Sequence, residues 1–263
     1  VDRLVTPATA AFLETRPWET SLLALVESTG VYYGWLLCGL GAGCITLLTA
    51  VMYSFGVFFE PVAGSLSASD GAISLVFATN QFMTYVFAGV VGFSADRRSV
   101  RQLLAVGTAC AVAGLLGTAL LSTYLGLLLG FGVVLAVGFG TVYVAIYATI
   151  ARWFDARRGV AMSILSVGFG LGALVGPPAA DRLLQAVTWT DAYLLLAVPV
   201  GALFGLAALL FRTEPAAGGG QSSAAPTADD GATARLGVRE TMANTQFWLI
   251  SVGFLLSSYG FSR

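Results

Sequence analysis

The sequence predicts an all-α membrane protein, with six spanning helices and part of a seventh. Three observations carry this reading. Apolar residues fill 57% of the 263 positions and charged residues only 10%, against roughly 45–50% and about 25% in soluble domains. Charge-free runs recur, each long enough for a span of about 20 apolar residues. Arginines gather between alternate runs, as positive charge held on one side of a bilayer requires.

The runs define the elements in order. Residues 28–59, 71–95, 159–180, 192–211 and 241–262 carry no charge. Residues 102–151 are also free of charge but twice too long for one span. The polar pair Ser122-Thr123 divides that run into two helices joined by a tight turn. Helices are required because an open sheet would leave backbone groups unpaired in hydrocarbon. A barrel would show short strands alternating in polarity, and these runs do not alternate. Their many glycines suit close helix packing in lipid.

Residues 1–30 carry Asp2, Glu14, Glu19 and Glu27. They read as a cytoplasmic lead-in rather than a signal peptide. Val1 in place of Met suggests a truncated start or an alternative start codon. Residues 31–211 hold the six spans. Residues 212–245 form a Gly-, Ala- and Ser-rich linker, and 246–263 begin a seventh span that stops with the chain.

Composition excludes several chemistries. All 13 basic residues are Arg, and there is no Lys or His. His-based catalysis and a Walker-type phosphate loop are therefore absent from these residues. Cys38, Cys44 and Cys110 lack metal-ligand spacing, so no metal or other cofactor is expected. A net charge of −1 gives no nucleic-acid footprint. No catalytic set converges, so an enzyme is not expected.

Eleven arginines fall in the lead-in, the second and fourth loops and the 212–240 segment, whereas the opposite loops hold only Arg182. The expected topology is a multi-pass cell-membrane protein with a cytoplasmic N-terminus and linker.

The second loop reads Gly92-Phe-Ser-Ala-Asp96-Arg97-Arg98-Ser99-Val-Arg101-Gln102. It resembles the major facilitator loop motif G-x-x-x-D-R-x-G-x-R-R/K. Gly92, Asp96, Arg97 and Arg101 match, while Ser99 replaces Gly and Gln102 replaces a basic residue. Further pieces are Gly34-Trp35, Ser54-Phe55-Gly56-Val57-Phe58-Phe59 and Trp153-Phe154-Asp155-Ala156-Arg157-Arg158-Gly159-Val160-Ala161. In this order they resemble the monocarboxylate-transporter and oxalate:formate-antiporter branch.

The resemblance implies a six-helix N-terminal half built from two three-helix inverted repeats, with a C-terminal half as its partner. It also implies transport of a small organic anion by alternating access. Asp96 at the positive N-terminus of a helix from the other half, with Arg97 and Arg101, would close the cytoplasmic side. Gly92, Arg152, Arg157 and Arg158 belong to the same end. Six helices alone should not transport, since a midplane site needs both halves.

In such a fold spans one and four line the cavity, with two and five beside them. Polar residues there are costly unless paired or wetted. Candidates are Thr46, Thr49 and Tyr53 in span one, Asn80, Gln81 and Thr84 in span two, and Tyr143 and Tyr147 in span four. Interhelical hydrogen bonding would explain the same residues. Gly168, Gly172 and Gly176-Pro177 fit helix packing with a Pro kink, or a drug–proton antiporter motif. The alternative function is drug or other solute export. A membrane enzyme or a non-transporting membrane protein is a more distant reading.

Overall fold

The computed structural model describes residues 33–94, 99–154 and 157–211. Six helices account for them: α1 (Tyr33–Leu66), α2 (Asp70–Ser94), α3 (Val100–Leu121), α4 (Tyr124–Trp153), α5 (Arg158–Ala186) and α6 (Trp189–Leu210). Each is long and apolar enough to cross a membrane. The lead-in, the linker and the seventh span expected from the sequence lie outside the described residues.

Three tight turns occupy one end of the bundle, and each has a local cause. Ser67 closes α1 at φ 50°, and the Ala68 amide donates back to the Ala63 carbonyl at 3.1 Å, a C-terminal cap that satisfies an orphan acceptor. Ser122 takes the left-handed conformation at φ 42° and ends α3. Thr123 then caps α4 by accepting from the Gly126 amide at 3.1 Å. The break at Ser122-Thr123 is thus a two-residue connection with a capping residue on each side. Between α5 and α6, Thr188 accepts from the Asp191 amide at 3.3 Å and donates to the Asp191 carboxylate at 2.6 Å. This is a threonine N-cap with an acid in the first turn, where the helix dipole favours one.

Two helix ends differ from the sequence reading. Helix α1 runs past Glu60 and Pro61 to Leu66, and α5 runs past Asp181 and Arg182 to Ala186. Arg182 therefore sits on a helix rather than in a loop. Charge marks where the apolar belt ends, but the backbone keeps its helical hydrogen bonds in interfacial water. Helix α1, at 34 residues, is about 50 Å long, well beyond a hydrocarbon core of about 30 Å.

Packing follows a two-fold pattern. Helix α1 lies along α5, α4 lies along α2, and α3 lies along α6. Exchanging the first three helices for the last three maps this set onto itself, as two inverted three-helix repeats require.

Lipid gives helices no hydrophobic reason to associate, so close backbone approach by small residues matters. A Cβ at Gly168 would sit 2.7 Å from the Ala42 carbonyl oxygen, and one at Gly176 2.6 Å from the Ala50 Cα. At Gly172 it would overlap the Thr46 carbonyl oxygen. The glycine stripe of α5 is thus a packing seam against α1. The pair α3–α4 meets the same way, with a Cβ at Gly138 overlapping the Ala111 nitrogen.

Aromatic rings join the aliphatic side chains of the interior. Phe131 of α4 lies 4.8 Å from Phe55 of α1 and 5.9 Å from Tyr193 of α6. Tyr193 in turn stacks on Phe58 at 4.6 Å.

Candidate functional site

Helix α4 is not uniform. It opens with one α turn, passes into a π-helix over Leu128–Leu135, and returns to α over Ala136–Trp153. The π segment reads Leu-Leu-Gly-Phe-Gly-Val-Val-Leu. Its two glycines weaken α preference, and π segments occur mostly as short insertions, often at functional sites.

Beyond it, Tyr143 and Tyr147 share a face one turn apart. Their rings lie 4.6 Å apart with planes at 32°, and both side chains are half-buried. On α1, Tyr53 is 52% exposed and meets Phe169 of α5 edge-on at 6.1 Å.

The α1 threonines are placed differently. Thr46 donates to the Ala42 carbonyl and Thr49 to the Ile45 carbonyl, both at 2.8 Å. Both lie along the α5 glycine seam, where a Cβ at Gly172 would be 2.8 Å from the Thr49 Cβ. Their hydroxyls are satisfied within their own helix, the usual solution for Thr in apolar surroundings.

Helix α2 turns Asn80 and Thr84 toward α4. Asn80 is fully buried, and its Nδ2 donates to the Phe131 carbonyl, inside the π segment, at 2.6 Å. The Asn80 Oδ1, Gln81 Oε1 and Thr84 Oγ1 atoms are buried without a hydrogen-bond partner. Such groups cost about 1–3 kcal/mol each. The Thr84 carbonyl meets Gly140 so closely that a Cβ there would fall 2.5 Å away.

The structure therefore pairs Tyr143 with Tyr147 and Tyr53 with Phe169, and sets Asn80 and Thr84 against α4. It does not hydrogen-bond these three groups to one another.

Asp96 and Arg97 lie outside the described residues. Gly92 is exposed in the last turn of α2, and a Cβ there would meet nothing within 4 Å. Arg101 stands in the first turn of α3, which Ser99 caps by accepting from the Gln102 amide at 3.3 Å. Ser at the motif's usual Gly position thus supplies a good N-cap. Arg152 donates through Nε to the Ala148 carbonyl at 3.3 Å, where the dipole of α4 favours a cation. Arg157 and Arg158 are exposed at the start of α5.

The π segment and its contact with Asn80 were not visible in the sequence. A further contact joins two motif segments: Trp35 of α1 packs on Phe154, just past α4, at 4.8 Å.

Among known proteins, the oxalate:formate antiporter of Oxalobacter formigenes is 25% identical over 241 residues, covering 89% of this chain and 54% of the relative. Human monocarboxylate transporter 11 is 27% identical over 177 residues, covering 65% and 38%. The fujikurins efflux protein of Gibberella fujikuroi is 32% identical over 137 residues, covering 50% and 30%. The chain spans about a third to a half of these relatives' length. The family model described as Major Facilitator Superfamily matches residues 41–262. With six helices in the two-fold arrangement of this fold and a family match over most of its length, the chain belongs to the Major Facilitator Superfamily.

Proposed function

We propose that the chain forms one half of a transporter that moves a small organic anion by alternating access. A second six-helix half would complete a midplane site between the two. The observation that carries this reading is the close Tyr143–Tyr147 pair on α4, with ring centroids 4.6 Å apart. Phenolic hydroxyls on aromatic bodies can donate to a carboxylate while adding no charge to the membrane interior. The described parts of the spans hold no His or Lys and carry their acids only toward helix ends. Charge pairing with the substrate then falls to the second half.

The assignment of other residues follows. Tyr53, Gln81 and Thr84 are assigned as further polar contacts for the substrate, with Asn80 supporting them. Thr46 and Thr49 contribute through the α1–α5 seam. Asp96, with Arg97 and Arg101, closes the cytoplasmic end, and Gly92, Arg152, Arg157 and Arg158 shape the same surface. Residues 1–30 lead into the membrane from the cytoplasm, 212–245 link the halves there, and 246–263 begin the seventh span. The protein sits in the cell membrane, in contact with lipid.

Similarity to an oxalate:formate antiporter over 89% of the chain supports the anion reading. A second reading, export of drugs or other small solutes, draws on the fujikurins efflux relative at 32% identity over half the chain. Vesicles from cells expressing the chain with its second half separate the two. Uptake of labelled lactate, formate or oxalate, competed by unlabelled carboxylates, supports the anion reading. Uptake competed only by apolar neutral compounds rejects it.

A further inference from the structure

We infer that Asn80 is a positioning residue, which sets the rotation of α4, and with it the Tyr143–Tyr147 pair, by latching the π segment. The inference rests on the reading of that pair as a substrate contact, but its structural half stands apart from transport.

A π insertion changes the phase of everything after it. One residue more or less turns the rest of an α-helix by about 100°. Tyr143 and Tyr147 lie C-terminal to Leu135, so the π segment decides which way they face. An eight-residue π stretch is long for this conformation, and something outside the helix must favour it.

The contacts of Phe131 supply that support. Its carbonyl accepts from Asn80 Nδ2 of α2 at 2.6 Å. Its ring is held by Phe55 of α1 at 4.8 Å and Tyr193 of α6 at 5.9 Å. Three helices thus grip one residue at the middle of the segment. The neighbouring glycines let other helices come close. A Cβ at Gly130 would fall 2.6 Å from the Thr118 hydroxyl, and one at Gly132 3.5 Å from the Val76 carbonyl.

Asn80 also keeps hydrogen-bonding capacity in reserve. Its Oδ1 is buried without a partner, as is the Thr84 hydroxyl on the same face of α2. A side chain needed only to tie two helices together would be better served with both ends satisfied. A face with open acceptors suits a contact that is made in one arrangement of α4 and exchanged in another. In the latched arrangement α4 is π-helical at Phe131; in the released one it is α-helical there and the tyrosines turn away.

The test reads helix phase by thiol labelling of the full chain in membranes. Ala145→Cys places a thiol on the buried face of α4, and Ala148→Cys on a half-buried one. A membrane-permeant maleimide with peptide-level mass spectrometry distinguishes them from Cys38, Cys44 and Cys110. In the otherwise unchanged chain the thiol at 148 labels faster than that at 145. Adding Asn80→Leu, which keeps volume but removes the donor, should raise the 145:148 rate ratio about fivefold, as loss of one buried hydrogen bond implies. Asn80→Gln, which retains an amide donor, should restore most of the original ratio. An unchanged ratio in Asn80→Leu overturns the latch.

If that variant fails to insert, the unmutated chain still decides. The sequence has only two asparagines, Asn80 and Asn244. Side-chain 15N-labelled Asn with carbonyl 13C-labelled Phe should show a dipolar coupling from Asn80 to Phe131; its absence overturns the latch. Labelling that shifts as expected in a protein that carries no organic anion would sink the transport reading and leave the latch standing.

Discussion

Trp35 packs its ring on Phe154 at 4.8 Å, with the planes 59° apart, and so ties the start of α1 to the residue that ends α4. Phe154 is buried, and Trp35 partly so. Both lie at the arginine-bearing end of the bundle, where α4 hands over to α5. Phe154→Ala should lower stability by about 3 kcal/mol, the usual cost of truncating a buried aromatic. Phe154→Leu should cost less than half of that. Thermal unfolding in detergent, followed by tryptophan fluorescence, gives the order.

The α1–α5 seam makes a sharper contrast. Gly172 has no room for a Cβ beside the Thr46 carbonyl, whereas one at Gly170 would meet nothing within 4 Å. Gly172→Ala should therefore destabilise by about 1–3 kcal/mol through overpacking. Gly170→Ala should be neutral or slightly stabilising in the same melting experiment. Equal effects at the two positions would mean that α1 and α5 do not meet along this stripe.

Much of this fold is legible in the sequence, and the reasons are local. Ser122-Thr123 marks a turn because one serine can enter the left-handed region and one threonine can cap the next helix. The spacing of Gly168, Gly172 and Gly176 announces a close approach, though it does not name α1 as the neighbour. Helix ends are less legible. Glu60 signals the edge of the apolar belt, yet α1 continues to Leu66 because its backbone bonds do not depend on lipid. The π segment leaves no local mark, since an apolar run with two glycines serves α and π alike. Asn80 stands out in the sequence as a polar residue within a span. Its partner is a backbone carbonyl 51 residues away, and no side-chain pattern encodes that.

Topology can be tested directly. Ser99→Cys and Ser122→Cys place thiols at opposite ends of α3. An impermeant maleimide added outside intact cells should label the thiol at 122 and not that at 99. The reverse result would invert the orientation drawn from the arginines.

The loop after α2 should act in cycling rather than in assembly. Asp96→Asn removes the charge proposed to close the cytoplasmic end. In the protein carrying its second half, it should slow transport about tenfold or more, as loss of a charge-assisted contact implies, while membrane insertion stays unchanged. Wild-type kinetics in this variant would remove Asp96 from the gate.

The tyrosine pair makes the closest prediction about substrate. Tyr143→Phe or Tyr147→Phe deletes one hydroxyl and keeps the ring contact. Each should raise KM for the carboxylate about tenfold, the worth of a hydrogen bond to a charged group, with little change in protein yield. An unchanged KM in both would move the substrate site away from α4.

The most direct measurement is counterflow in proteoliposomes containing the chain with its second half. Vesicles loaded with unlabelled oxalate, formate or lactate are diluted into the labelled anion. Transient accumulation of label above equilibrium, abolished when the internal carboxylate is omitted, is the result expected of an alternating-access organic-anion carrier. No accumulation with any small carboxylate, in vesicles that do exchange an apolar neutral solute, would contradict it.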